Sequence, residues 1–325
     1  MRTGKIIAIS IVLVVLAGSA AFAQAPETPK LHRFQENDKW GFKDGAGNVV
    51  VKPVYDLARE FSCGLAAVNI GAQRQIPRKM GGKWGYINAK GEVVVPITLG
   101  FANDFSEDLA LVGNKDDDLW RYIDPKGKTV ITLEGVSGAG DFSEGLAYVQ
   151  DFHRPGEKDR TRFIDKTGKT VLTVDGYAEE FHEGLSAFSI PNPKVRDRRL
   201  SGFVNRKGEV VIQPVYAEVK RFSEGLAAVR PKMTTGVYGR GDEWGYIDMT
   251  GKYVIEPSFN QALRFVKGVA WVHVGGKYQM LYDAPGFWAE GEWRLIDKTG
   301  KVLEVRGDNV GLPAAPKDST DSGKA

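Results

Sequence analysis

The chain has 325 residues, 42% of them hydrophobic and 26% charged, with 44 Lys and Arg against 41 Asp and Glu. A chain of that length buries a sizeable core, and its near-balance of charge lacks the basic excess of a dedicated nucleic-acid binder. One cysteine, Cys63, excludes an internal disulfide, so packing alone must hold the fold.

The N-terminus carries the first signal. Arg2 and Lys5 precede an apolar run from Ile6 to Leu16, broken only by Ser10, and small residues follow to Ala21 and Ala23. That three-part layout is a secretory signal peptide over residues 1–23, with cleavage expected after Ala23. The run falls short of the roughly 20 residues that a membrane span needs, and no later segment is expected to cross a membrane. Losing residues 1–23 removes two cations and no acid, which leaves 42 basic against 41 acidic residues. The expected product is exported, periplasmic or extracellular.

Beyond residue 30, short alternating apolar runs separated by turn residues predict an all-β fold. The runs repeat. Lys83-Trp84-Gly85-Tyr86-Ile87-Asn88-Ala89-Lys90-Gly91 matches Glu243-Trp244-Gly245-Tyr246-Ile247-Asp248-Met249-Thr250-Gly251. Seven such hairpins start at Trp40, Trp84, Trp120, Thr161, Ser201, Trp244 and Trp293. A Phe-Ser-Glu-Gly-Leu-Ala motif follows the first six, at Phe61, Phe105, Phe142, Phe181, Phe222 and Phe265. Each hairpin turns at an Asp or Asn with Gly three residues later, as in Asp44/Gly47 and Asn88/Gly91. The first side chain accepts a bond from the backbone two residues on. The glycine supplies the positive φ that closes a type I turn with a bulge. The second motif leads into a further strand, such as Leu146–Val149. Asp108 replaces its glycine once, and Asp tolerates the left-handed region.

With a strand near residues 31–34, the chain is expected to hold about seven three-stranded units across residues 24–307. Such a unit cannot bury its own apolar face and must stack on its neighbours. A β-propeller-like array is favoured, with an open β-solenoid as the alternative. Residues 308–325, with almost no large apolar side chain, read as a disordered tail.

The alternation of Trp-Gly-[Phe/Tyr]-Ile-Asp-x-x-Gly-Lys with Phe-Ser-Glu-Gly-Leu-Ala resembles the bacterial WG-repeat proteins. The resemblance covers residues 31 to about 305. It implies a β-rich repeat domain, often in exported proteins, and no particular activity.

Catalysis finds no support in the sequence. The four histidines, His32, His153, His182 and His273, are not paired at metal-ligand spacing. No nucleophile elbow, phosphate loop or His-Glu-x-x-His pattern occurs. Glu107, Glu144, Glu183 and Glu224 recur at one repeat position, which fits a turn or cap better than paired glycosidase acids. Cys63 and His182 read as tolerated replacements. The tryptophans at one repeat position read as packing between units. Arg121, Arg162 and Arg294, which replace the neighbouring glycine, read as surface residues on the opposite face. No enzyme, cofactor or metal is expected.

The copies differ between the Leu-Ala-x-Val strand and the next Trp-Gly strand, at residues 70–82, 113–118, 150–160, 190–200, 230–243 and 275–292. One repeat position puts these insertions on one rim, and variable loops on a rigid scaffold are where recognition lives. The candidate ligand-binding residues are Arg74, Arg78, Lys79, Arg154, Arg160, Arg196, Arg198, Arg199 and Arg240, with Tyr282 and Trp288 in the last insertion. The expected function is an exported, non-catalytic binding or scaffold protein. Its expected partner is an anionic polysaccharide, envelope polymer or envelope protein, and nucleic acid is not expected. A glycan-active envelope enzyme and a structural or assembly role are the alternatives.

Overall fold

The computed structural model describes residues 30–75, 78–114, 119–152, 158–195, 198–231, 243–279 and 287–307. The expected signal peptide and tail lie outside the described residues. Within them, antiparallel strands form seven small sheets in chain order, and no helix occurs. The second sheet runs Leu57–Ala58, Leu65–Gln75, Arg78–Asn88 and Val93–Leu99. Sheets three to seven repeat this four-stranded plan. The first sheet has three strands, His32–Glu36, Lys39–Lys43 and Val49–Tyr55. Six sheets therefore hold one strand more than the sequence predicts. In four of them the added first strand is two residues long, as at Phe101–Ala102 and Gln261–Ala262, and so carries no alternation to read.

The hairpin turns form as predicted. Gly47 N–H donates to Asp44 O at 3.0 Å, with Gly47 at φ 89° and the Asp44 carboxylate accepting from Ala46 N–H. The Phe-Ser-Glu-Gly turn is tighter. Ser143 and Leu146 exchange backbone bonds at 2.9 and 3.1 Å around Glu144 (φ 54°) and Gly145 (φ 78°). Two consecutive positive φ values make a two-residue type I′ turn, and the glutamate adopts its half of it at a cost.

That cost is offset across the seams between sheets. The carboxylate of Glu107 accepts Gly145 N–H at 3.0 Å, that of Glu144 accepts Gly184 N–H at 3.1 Å, and that of Glu224 accepts Gly268 N–H at 2.8 Å. Beside each, the serine hydroxyl donates to the next motif's phenylalanine carbonyl, as in Ser106 to Phe142 and Ser143 to Phe181, both at 2.6 Å. Each motif is thus bonded to the motif of the following sheet.

Apolar packing follows the same plan. Six core clusters each draw on two consecutive sheets. Tyr86 and Val95 of the second sheet, for example, pack with Phe105, Ala110, Val112 and Ile123 of the third. Trp40, Trp84 and Trp120 pack against such clusters and Trp244 lies inside one, so the tryptophans do pack between units.

The glycine beside the Trp position has a steric cause. A Cβ on Gly41, Gly85, Gly202 or Gly245 would stand 2.5, 2.6, 2.3 or 2.7 Å from a carbonyl oxygen of the last strand of its sheet. In those four sheets the last strand bulges at Pro53, Pro96, Pro214 or Pro257, so that Trp84 faces Leu99 while Tyr86 faces Val95. Where arginine replaces the glycine this bulge is missing, so that Trp120 and Tyr122 face Leu133 and Ile131.

Candidate functional site

Antiparallel order sends every link from second to third strand to the same edge of the array, opposite the hairpin turns and the Phe-Ser-Glu-Gly turns. The described residues of the six insertions lie on this rim. In the second sheet the insertion is a long hairpin whose register sets Arg74 opposite Lys79 and Gln75 opposite Arg78. In the seventh sheet it is an added two-stranded hairpin that sets Trp288 opposite Tyr278. Arg154, Arg196, Arg240 and Tyr282 lie outside the described residues.

The predicted cations that are described behave differently from one another. Arg160 and Arg198 are exposed, and Arg160 lies 3.6 Å from the equally exposed Asp175. Arg199 is not a free loop cation. It bonds Asp159 at 2.6 Å, donates to Ser189 Oγ and Ser189 O at 2.9 and 2.6 Å, and stacks over Tyr177 at 4.3 Å. Arg199 opens a third strand of the fifth sheet and Asp159 precedes that of the fourth, so the pair ties two sheets together. The replacement arginines are likewise engaged. Arg162 bonds Asp151 at 2.5 and 2.8 Å, which holds its guanidinium above its ordinary pKa, and Arg294 pairs with Glu292 at 2.6 Å.

Four exposed apolar side chains stand on the rim that sequence reasoning passed over. Phe152 is 66% exposed, Met80 58%, Ile70 49% and Val195 45%. Lys158, Lys194 and Arg198 lie exposed in the same insertions, and exposed Lys83 directly follows the first of them. The rim therefore combines apolar contact area with positive charge. A signal existed. These apolar residues lie inside polar insertions, away from the alternation that marks core strands.

The recurrent acids belong to the opposite rim and are bonded there. Lys166 donates to Glu107 O at 2.9 Å and lies 3.2 Å from its carboxylate, and Lys298 does the same to Glu224. Burial raises the Glu224 carboxyl, but bonds from Gly268 N–H and Lys298 outweigh it and hold the group below its usual range. These carboxylates join sheets, and their recurrence is explained by that.

A family model described as "WG containing repeat" matches residues 40–72, 84–116, 120–151, 202–230 and 244–278. The chain is a WG-repeat protein. Each matched segment begins in the strand of the Trp-Gly position and reaches the second strand of the following sheet, so one WG repeat spans one seam. The copy at Thr161 has neither Trp nor Gly and falls outside the matched segments.

No curated protein sequence matches the chain significantly. Among solved structures it is similar to one described as the crystal structure of the eukaryotic initiation factor, with a TM-score of 0.57 and 10% identity over 86% of this chain and 74% of that one. The β-propeller domain of the Trilobed protease from Pyrococcus furiosus aligns with a TM-score of 0.45 and 9% identity over 78% of this chain and 94% of that one. At 10% identity, the first likeness concerns the fold alone.

Proposed function

We propose that this WG-repeat protein is an exported, non-catalytic binding or scaffold module that holds an acidic glycan or envelope polymer on its insertion rim. The observation that carries the reading is the gathering of exposed Phe152, Met80, Ile70 and Val195 with Lys83, Lys158, Lys194 and Arg198 at one repeat position. Sugar faces dock on apolar side chains, while carboxylates or sulfates pair with the cations. The seam bonds of Glu107, Glu144 and Glu224 take the recurrent carboxylates out of consideration as paired catalytic acids.

The test is an array of acidic and neutral glycans, probed at low and at physiological salt. Salt-sensitive binding to acidic polymers alone is the expected result. A blank array, or binding that ignores both charge and salt, overturns the reading.

A second reading, assembly, draws on the last strands of the sheets. They are edges that carry exposed valines, with Val54, Val93 and Val305 each 53% exposed. An oligomer in solution that dissociates when Val54 and Val93 become lysine would favour it.

A further inference from the structure

Seven sheets in a ring would have seven seams, and six of them are alike. On one side of each stand apolar residues of the third and fourth strands. On the other stand an apolar or small residue at each of three positions, for instance Ala66, Val68 and Ile87 of the second sheet against Phe42, Val51 and Tyr55 of the first. The equivalents on the seventh sheet are Ala270, Val272 and Ile296, all buried.

The faces that would meet at the seventh seam are built differently. On the first sheet, register puts His32, Phe34 and Lys43 where the other sheets have Ala66, Val68 and Ile87. On the seventh sheet it puts Glu304 opposite Leu295 and Arg306 opposite Trp293, the places of Val51 and Tyr55. Glu304 and Arg306 are exposed, and a Cβ on Gly47 meets nothing within 4 Å. The equivalent Gly91 and Gly127 would meet Val51 and Val95 at 3.0 and 3.2 Å. The motif of the seventh sheet, the last of the six, also lacks both connectors, with Val266 for serine and Lys267 for glutamate. In the structure these faces are apart, and each satisfies itself. Lys43 Nζ lies 4.1 Å from the Phe34 ring centroid, and Arg306 bonds Glu304 at 2.6 Å and stacks 4.9 Å from the Trp271 centroid.

The replacements match across the gap. Val51 and Ile87 share one cluster, and their equivalents are Glu304 and Lys43, of opposite charge. Tyr55 and Val68 share it too, and their equivalents are Arg306 and Phe34, a cation and an aromatic face. A cap that only kept an open end soluble would need charge but no such matching. We propose that the seventh seam is a polar latch, closed by Lys43 on Glu304 and Arg306 on Phe34, and that the structure shows it open. Ion pairs and cation–π contacts trade with water at little cost, so this seam can part while the six apolar seams stay packed.

The test uses the purified protein carrying Cys63→Ser, with spin labels at cysteines replacing the exposed Ala46 and Leu303, and reads the distance distribution by pulsed electron resonance. Two populations are expected, one short and one long. Lys43→Glu should cut the short population by about fivefold or more, and the double change Lys43→Glu with Glu304→Lys should restore it. Raising NaCl from about 50 mM to about 1 M should also deplete it. A single long distance in all variants, or a short one that survives Lys43→Glu, overturns the proposal. A short distance that vanishes when labelled protein is diluted into unlabelled protein also overturns it, because the contact is then between copies. Unchanged urea midpoints across the variants confirm that only the latch was altered.

Discussion

Gly245→Ala is the sharpest test of the account of the bulged sheets. The added Cβ would lie 2.7 Å from Ile255 O, 2.8 Å from Pro257 N and 3.1 Å from Glu256 C, all backbone atoms. No side chain can swing away to relieve them. The fourth strand must shift, and it shifts against Tyr246, which is fully buried. Overpacking of this kind costs about 1–3 kcal/mol, and a backbone obstacle places it toward the upper end. For a protein of this size that is a fall in Tm of roughly 2–5 °C. The control is Arg121→Ala, at the same repeat position where the fourth strand is two residues shorter, which should change stability by less than about 0.5 kcal/mol. Urea unfolding followed by tryptophan fluorescence reads both. If Gly245→Ala is as stable as Arg121→Ala, the glycine is not there to admit the bulge, and the steric argument fails.

The remaining predictions concern the seams. Glu144→Gly should destabilise by about 1 kcal/mol, because relief at φ 54° does not replace the bond to Gly184 N–H. Cys63→Gly, at φ 48° with only a thiol contact across the seam, should instead gain a few tenths to about 1 kcal/mol. Equal effects in chemical denaturation would show that the glutamates do not join sheets. Burial pushes the Asp104 carboxyl up to about 6, with Arg59 at 3.9 Å pulling it down and Asp141 pushing it further up. The folded chain then holds a proton that the unfolded chain has lost between about pH 4 and about pH 6, so acidification through that window adds stability at this site. Comparing urea midpoints of the wild type and Asp104→Asn at about pH 5 and about pH 7.5 isolates it. The wild type should gain on the variant at the lower pH, and a constant gap would contradict the assignment.

Much of the fold was legible because each unit advertises itself. Turns with Asp or Asn and a glycine three residues on recur in all seven copies, and a tryptophan at a fixed place recurs in five, so each reflects local geometry that the repeat reuses. The added first strand of the six four-stranded sheets was not legible. Two residues such as Leu57–Ala58 have no period, and their role is set by the sheet they join. The glutamate of the second motif was readable as a turn residue, but its bond to a glycine about 40 residues on is a contact between repeats, which spacing alone does not reveal. Arg199 misled for a related reason. It stands among loop cations in sequence, and only Asp159 of the neighbouring sheet and Tyr177 of its own turn it inward. Phe152 and Met80 were overlooked because charge, the more visible signal, drew the candidate set.

The most direct test of the central claim is a titration of fluorescently labelled polygalacturonate against the protein and two variants. One variant changes the insertion rim, Phe152→Ser with Lys158→Ser and Arg198→Ser. The other removes as many cations, two, from the opposite rim, at Lys90 and Lys126. Affinity should fall about tenfold or more for the first and stay within about twofold for the second. Equal losses, or a loss confined to the turn rim, would contradict the claim that recognition lies on the insertions.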